Sequence, residues 1–355
     1  MTTTNDLLRT AERPAGRSLA RGVPRLESLR AGTATGIGSL PHRSAGDAAR
    51  FALAEYDIPA IPTLPRKNPA EGMIAQAVVG INGVTSGQYG SLAVDASAVN
   101  VHAPVNTDLS LPHFQSLRRF LHLAVSTEFT GPVKWQFVGP VTLGVALTRA
   151  GLADDIAFQV AARAVRSHVA AISVAITTAL PRSPQLIFID EPWFGDLLNP
   201  GFPIDPDTAI DLLSGAMAAV SGVATVGVHC CGEADVPSLL AAGPDILSIP
   251  VTPRLAGVAG YLGHFLDAGG RVAWGVVPTD GPMFASPDRH WRELIDLWGG
   301  LSDRGVDVDL IRAQSLVTPH CGLGTHTPVV ADRVCRAVRE VGRRIADLSP
   351  RNVHA

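Results

Sequence analysis

Hydrophobic positions along the chain fall into two alternating textures. One is a set of short apolar runs ending in Gly, Pro or a polar residue: TATGIG (33–38), IPAIPTL (58–64), VKWQFVGP (133–140), LIFIDEP (186–192), TVGVHCCG (225–232), ILSIPVT (246–252), VAWGVVPT (272–279) and LVTPHCGLG (316–324). Runs this short and apolar, bounded by turn residues, predict strands. The other texture has apolar residues at helical spacing. It includes SAGDAARFALAEY (44–56), the stretch from Asp154 to Leu180, DTAIDLLSGAMAAV (207–220), SPDRHWRELIDLWGGLSDR (286–304) and VVADRVCRAVREVGRRIADL (329–348).

Strands alternating with amphipathic helices imply parallel βα units. Eight of them predict an α/β fold, a (β/α)8 TIM barrel. Residues 65–132 exceed an ordinary connection and predict loop, hairpin and helix inserted between strands 2 and 3. A doubly wound sheet is the competing architecture, but GIGS (36–39) lacks the third glycine of the dinucleotide fingerprint. The polar, arginine-rich residues 1–30 predict a disordered N-terminal tail. Residues 31–348 then form a single catalytic domain and 349–355 a C-terminal tail.

Composition narrows the function classes. With 46% hydrophobic and 17% charged residues, the 355-residue chain is not intrinsically disordered. A formal net charge of −3 with scattered arginines gives no footprint for nucleic acid. No uninterrupted run of about 18 apolar residues occurs, so no membrane span is expected. The N-terminal tail lacks the apolar stretch of a secretory signal. Four cysteines are too few for a disulfide framework in a chain this long. The cytoplasm is therefore the expected compartment.

The cysteines divide into two kinds. Cys335 lies within the C-terminal helical pattern and reads as a buried structural thiol. Cys230, Cys231 and Cys321 lie where strands are expected to enter loops. Side chains at i and i+2 of a strand share a side, so His229 and Cys231 project together and Cys230 points away. Zinc prefers thiolate and imidazole, and a catalytic site supplies three protein ligands with one position open. His229, Cys231 and Cys321 match that set; core cysteines beside a satisfied histidine are the bland alternative. Barrel active sites sit at the carboxyl ends of strands, where Gly38-Ser39, Gly139-Pro140, Asp190-Glu191, Pro278-Thr279-Asp280 and the three metal candidates all fall.

The motifs GIGSLP, QYGS, VGPVTLG, IDEPW, the His-x-Cys of VHCCG, and TPHCGLGT occur in an order that resembles the catalytic C-terminal barrel of the cobalamin-independent methionine synthase family. The resemblance covers about residues 33–347. It implies Zn2+ as cofactor, held by His229, Cys231 and Cys321 and binding a substrate thiol as thiolate. It also implies that Gly38 and Ser39 hold an amino-acid carboxylate and that Asp190 holds the substrate ammonium. From the residues alone, Ser39 reads equally as a turn or cap, and Asp190 as a helix N-cap.

Three departures from the family pattern matter. Pro250 or a neighbour stands where the family has a glutamate zinc ligand, with Glu233 the nearest substitute. Arg66 and Lys67 replace an acidic motif after the second strand, which suits an anionic group; a solvated basic loop is the plain alternative. Ala146 replaces the aromatic on which folate stacks, and Trp193 is the nearest motif aromatic. The family's full-length folate enzymes also carry a second, N-terminal half.

The expectation is a zinc-dependent methyltransferase acting on a small-molecule thiol. Homocysteine is the leading acceptor, with a corrinoid or corrinoid protein as donor in place of methyltetrahydrofolate. The alternatives are an alkyltransferase to another thiol with an anionic tail, using Arg66 as clamp, and a non-catalytic zinc- or corrinoid-binding relative.

Overall fold

The computed structural model describes residues 28–87, 90–280 and 286–348. The predicted tails lie almost wholly outside these residues, as do Gln88 and Tyr89 of QYGS. Strands and helices are numbered in chain order. The strands are β1 (Thr33–Ala34), β2 (Val84–Ser86), β3 (Leu92–Val94), β4 (Val133–Val138), β5 (Gln185–Asp190), β6 (Thr225–His229), β7 (Ile246–Pro250), β8 (Arg271–Val277) and β9 (Ser315–Pro319). Seven of them form one curled parallel sheet in the order β1-β9-β8-β7-β6-β5-β4. Every residue of β4 except Gln136, and all of β5 to β9, is buried. Burial on both faces is why these strands read as unbroken apolar runs.

The predicted second strand does not form a ladder. Residues 58–63 instead make isolated parallel bridges, Thr35 to Ile58 and Ser39 to Thr63 on one side and Ala60 to Lys134 on the other. They thereby link β1 and its continuation to β4, the two edges of the sheet. Pro59 and Pro62 explain the difference, since neither has an N–H to donate and proline interrupts a sheet ladder. What remains is Ile58 N–H to Ala34 O (3.1 Å), Leu40 N–H to Thr63 O (2.9 Å), Lys134 N–H to Pro59 O (2.9 Å) and Ile61 N–H to Lys134 O (2.8 Å).

The connecting helices are α1 (Ala45–Glu55), α2 (Met73–Ala77), α3 (Gln115–Ser126), α4 (Pro140–Arg149), α5 (Asp154–Ala179), α6 (Pro206–Ala218), α7 (Val236–Ala241), α8 (Ala259–Asp267), α9 (Pro287–Ser302), α10 (Val308–Ala313) and α11 (Pro328–Leu348). Their starts follow local chemistry. Ser44 and Asp205 cap α1 and α6 through their side chains, and proline opens α4, α6 and α9. Between residues 58–63 and β4 lie α2, the antiparallel hairpin β2–β3 and α3. By length and composition α5 could cross a bilayer, but half of its most apolar window is buried inside the molecule.

Two cores follow from strand alternation. Ile187, Val228, Leu247, Trp274 and Val317 face the helices within the larger cluster. Ile58, Leu186, Phe188, Ile246, Ala273 and Leu316 form a second, smaller cluster inside the curl. That inner plug fills the amino-terminal half of the strands and leaves their carboxyl ends open.

Candidate metal centre and its cleft

A cleft of about 1630 Å³ opens at the carboxyl ends of the strands. At its floor, register places Asp190 of β5 beside His229 of β6, and His229 beside Ser248 of β7. His229 Nδ1 lies 3.0 Å from Ser248 Oγ. Its Nε2 is buried and has no hydrogen-bond partner. An imidazole oriented through one nitrogen with the other left bare is what a metal ligand needs, and an unmatched buried nitrogen is otherwise costly.

Cys231, two residues on, lines the same cleft, as does Cys321 just past β9. The ligand atoms of His229, Cys231 and Cys321 lie within 4.8 Å of one another. Ligands held about 2.0–2.3 Å from a zinc ion need little closure from that spacing. Cys231 has its thiol lowered from the ordinary value, chiefly by a hydrogen bond from Cys321, whose own thiol is raised by the same bond and by burial. Cys230 points the other way, fully buried in the outer core, and burial pushes its thiol up to about 12. Cys335, on α11, is likewise buried and pushed up to about 12.

Asp190 is 6% exposed and its Oδ1 has no partner. Burial raises its pKa, with His229 and Lys134 opposing. The N-cap expected as its alternative does not form, since the turn that follows starts without a side-chain cap; its neighbour caps an earlier helix instead. Glu191 accepts from Val141 N–H (2.9 Å) and Thr142 N–H (2.7 Å) at the start of α4. A side chain at position 139 would collide with the Glu191 carboxylate at 2.1 Å, so Gly139 is required there. Burial raises Glu191 to about 7.

The first-strand turn packs onto the Cys321 loop. Ser39 accepts from Leu323 N–H at its carbonyl (2.8 Å) and from Gly324 N–H at Oγ (3.1 Å). Gly38 has φ +149°, and a Cβ there would fall 2.1 Å from the Gln136 amide. Only glycine satisfies both demands. Arg66 stands exposed at the rim, its Nη1 donating to His326 O (2.7 Å) and Thr325 O (3.4 Å). The loop after β9 thus joins the centre, the turn and the basic rim.

Other sequence candidates sit elsewhere. Glu233 is exposed and ion-paired with Arg254, outside the three-residue ligand cluster. Trp193 carries Arg149 3.6 Å above its ring centroid, so one aromatic face is already covered. Pro250 ends β7 and lines the cleft.

Four residues that motif spacing did not single out shape the site: Ser248, Gln136, Lys134 and His320. Lys134 is completely buried, its ammonium 4.6 Å over the Phe188 ring. Burial lowers it to about 7, with Asp190 opposing. His320 lines the cleft and is lowered to about 4, mainly by burial. A lone lysine inside an apolar strand run was the available signal for Lys134; for Ser248 there was none.

No protein-family model and no curated protein matches the chain. Among solved structures, it is similar to a B12-independent methionine synthase from Shewanella sp. W3-18-1 in complex with selenomethionine. That likeness has a TM-score of 0.59 and 16% identity, over 90% of this chain and 98% of that one. It is also similar to a Listeria monocytogenes protein assigned as a vitamin-B12-independent methionine synthase, with TM-score 0.50 and 12% identity, over 92% and 98% of the two chains. At these identities the likeness establishes a shared fold.

Proposed function

We propose that the chain is a zinc-dependent methyltransferase acting on a small thiol, with homocysteine, giving methionine, as the first acceptor to test. The observation that carries this reading is the unpartnered, buried His229 Nε2 converging with two thiols at the floor of a large cleft. We read the sheet as a closed (β/α)8 barrel in which residues 58–63 serve as the remaining stave, with residues 65–132 inserted after it. The shared fold with the two methionine synthase structures supports both readings.

His229, Cys231 and Cys321 are the residues that would hold zinc. When bound, the metal keeps an acceptor thiol deprotonated and in place at neutral pH. Asp190 offers its free Oδ1 to a substrate ammonium, and burial strengthens that charge-assisted bond. Gly38 and Ser39 border the position for a carboxylate, with Arg66 behind them at the rim. The acceptor sulfur attacks the donor's methyl carbon, and the carbon–donor bond breaks with its electron pair on the donor. The cleft exceeds the roughly 300–1,000 Å³ of ordinary ligand sites, and Met73, Phe194, Leu198 and Leu255 give it an apolar upper wall. Those features favour a bulky donor, and a methyl-corrinoid, free or carried on a protein, is the one proposed.

Metal analysis of the purified chain tests the reading. Near-stoichiometric zinc, lost in Cys231→Ala and Cys321→Ala, is the expected result; a zinc-free wild type would refute it. Thiol methylation with methylcobalamin set against methyltetrahydrofolate then separates the donors. Arg66 also favours a second reading, alkyl transfer to a thiol with an anionic tail. Turnover of a sulfonate thiol in preference to homocysteine would select it.

A further inference from the structure

Lys134 is one of two lysines in the chain and the only one buried. An ammonium inside a sheet is expensive to desolvate, and nothing in the proposed chemistry uses it. Its bonds lead toward the site. Nζ donates to the carbonyl of Ile37 and to Gln136 Oε1 (3.1 Å), and Gln136 Nε2 donates in turn to Ile61 O (3.1 Å). The residue after Ile37 is Gly38, whose open face lies against that same Gln136 amide. Ser39 follows, bonded on its other side to the Cys321 loop.

We infer that Lys134 is a positioning residue: it fixes the Ile37–Ser39 turn from below, and so sets where Gly38 and Ser39 meet a ligand's carboxylate relative to Cys321. Without it, the Ile37 carbonyl and Gln136 amide lose a shared donor, and the turn keeps the bond from Leu40 N–H to Thr63 O (2.9 Å) and its bonds to the Cys321 loop. The lysine donates whether or not it is protonated, so the role does not depend on its charge. That the ligand bears a carboxylate rests on the function proposed above; the mechanical part does not.

Two measurements on the full chain test this, using Lys134→Met, with Lys134→Gln as a second variant that keeps one donor should the first fail to fold. The first is amide hydrogen exchange. The expected result is about tenfold faster exchange in segments 36–41 and 321–325, the loss of a buried hydrogen bond being worth about that much, with β5 to β7 unchanged. Unchanged exchange at the turn, or equal acceleration throughout the sheet, would overturn the inference.

The second is calorimetric affinity of the zinc-loaded protein for L-methionine against 3-(methylthio)propylamine, which lacks the carboxylate. The variant should weaken the first about tenfold and the second less than about twofold. Equal weakening of both would mark Lys134 as merely structural. A wild type that binds neither ligand would remove the methionine reading, and the exchange measurement would still decide the role of Lys134.

Discussion

The inside of the curled sheet has two ends built to opposite rules. Toward the amino ends of the strands lie Leu186, Phe188, Ile246, Ala273 and Leu316, all 0% exposed and without a polar side-chain atom. Two residues further along the same strands come Asp190, Ser248 and Thr318, also buried, with His229 beside them on β6. Asp190 Oδ1, His229 Nε2 and Thr318 Oγ1 there have no partner. The first end is satisfied by packing alone. The second carries unmet hydrogen-bonding capacity, which is costly in a native interior unless water, an ion or a ligand meets it. The same backbone ladder runs through both, so stability is invested at one end and function at the other.

Substitutions can separate the two ends. The largest effect is expected at the apolar end: Phe188→Ala should cost about 3–5 kcal/mol of stability, read by denaturant unfolding, with zinc per folded molecule unaltered. Next, Cys321→Ala should lower zinc affinity by roughly two orders of magnitude or more, since about 10–16 kcal/mol of binding is shared among the ligands of such an ion. Competition with a chromophoric chelator measures it, and an unchanged affinity would remove Cys321 from the centre. Ser248→Ala, which frees the His229 ring without touching a ligand, should weaken zinc about tenfold to a hundredfold and, by leaving a buried nitrogen unmatched, cost about 1–3 kcal/mol of stability.

The smallest effect is a slope. Lys134 titrates near 7 when folded and near 10.4 in an unfolded chain, so above pH 7 the unfolded state binds the extra proton. Stability from this group therefore rises with pH across that window, by up to about 1.4 kcal/mol per pH unit. Comparing wild type with Lys134→Met between about pH 7 and 8.5 isolates it, because Cys230 and Cys335 contribute with opposite sign only as unfolded thiols ionise, near 8.5 and above. Identical slopes in the two proteins would contradict a desolvated Lys134.

Much of this contrast was legible in the chain. The apolar runs at 133–140, 186–192, 225–232, 246–252, 272–279 and 316–324 mark strands because side chains buried on both faces leave an unbroken signal. His229 and Cys231 share a face because the strand period is two. IPAIPTL has strand hydrophobicity but forms only isolated bridges, because its prolines remove the donors of a ladder. Trp193 shows a different gap: its aromatic ring is evident in the sequence, but the Arg149 cation stacked on it comes from α4, 44 residues earlier.

By itself, then, the sequence determined the alternation of strands and helices, the polar ends of the strands, and the residue types able to bind zinc. Those are properties of local periodicity and side-chain chemistry. Only the tertiary structure decided that Ser248 orients His229, that Glu191 and not Asp190 caps α4, that Glu233 pairs with Arg254, and that Lys134 reaches the Ile37 turn. Each of these depends on strand register or on a contact between distant segments. Register is set by the whole sheet curling around its apolar inner cluster, and no local pattern encodes it.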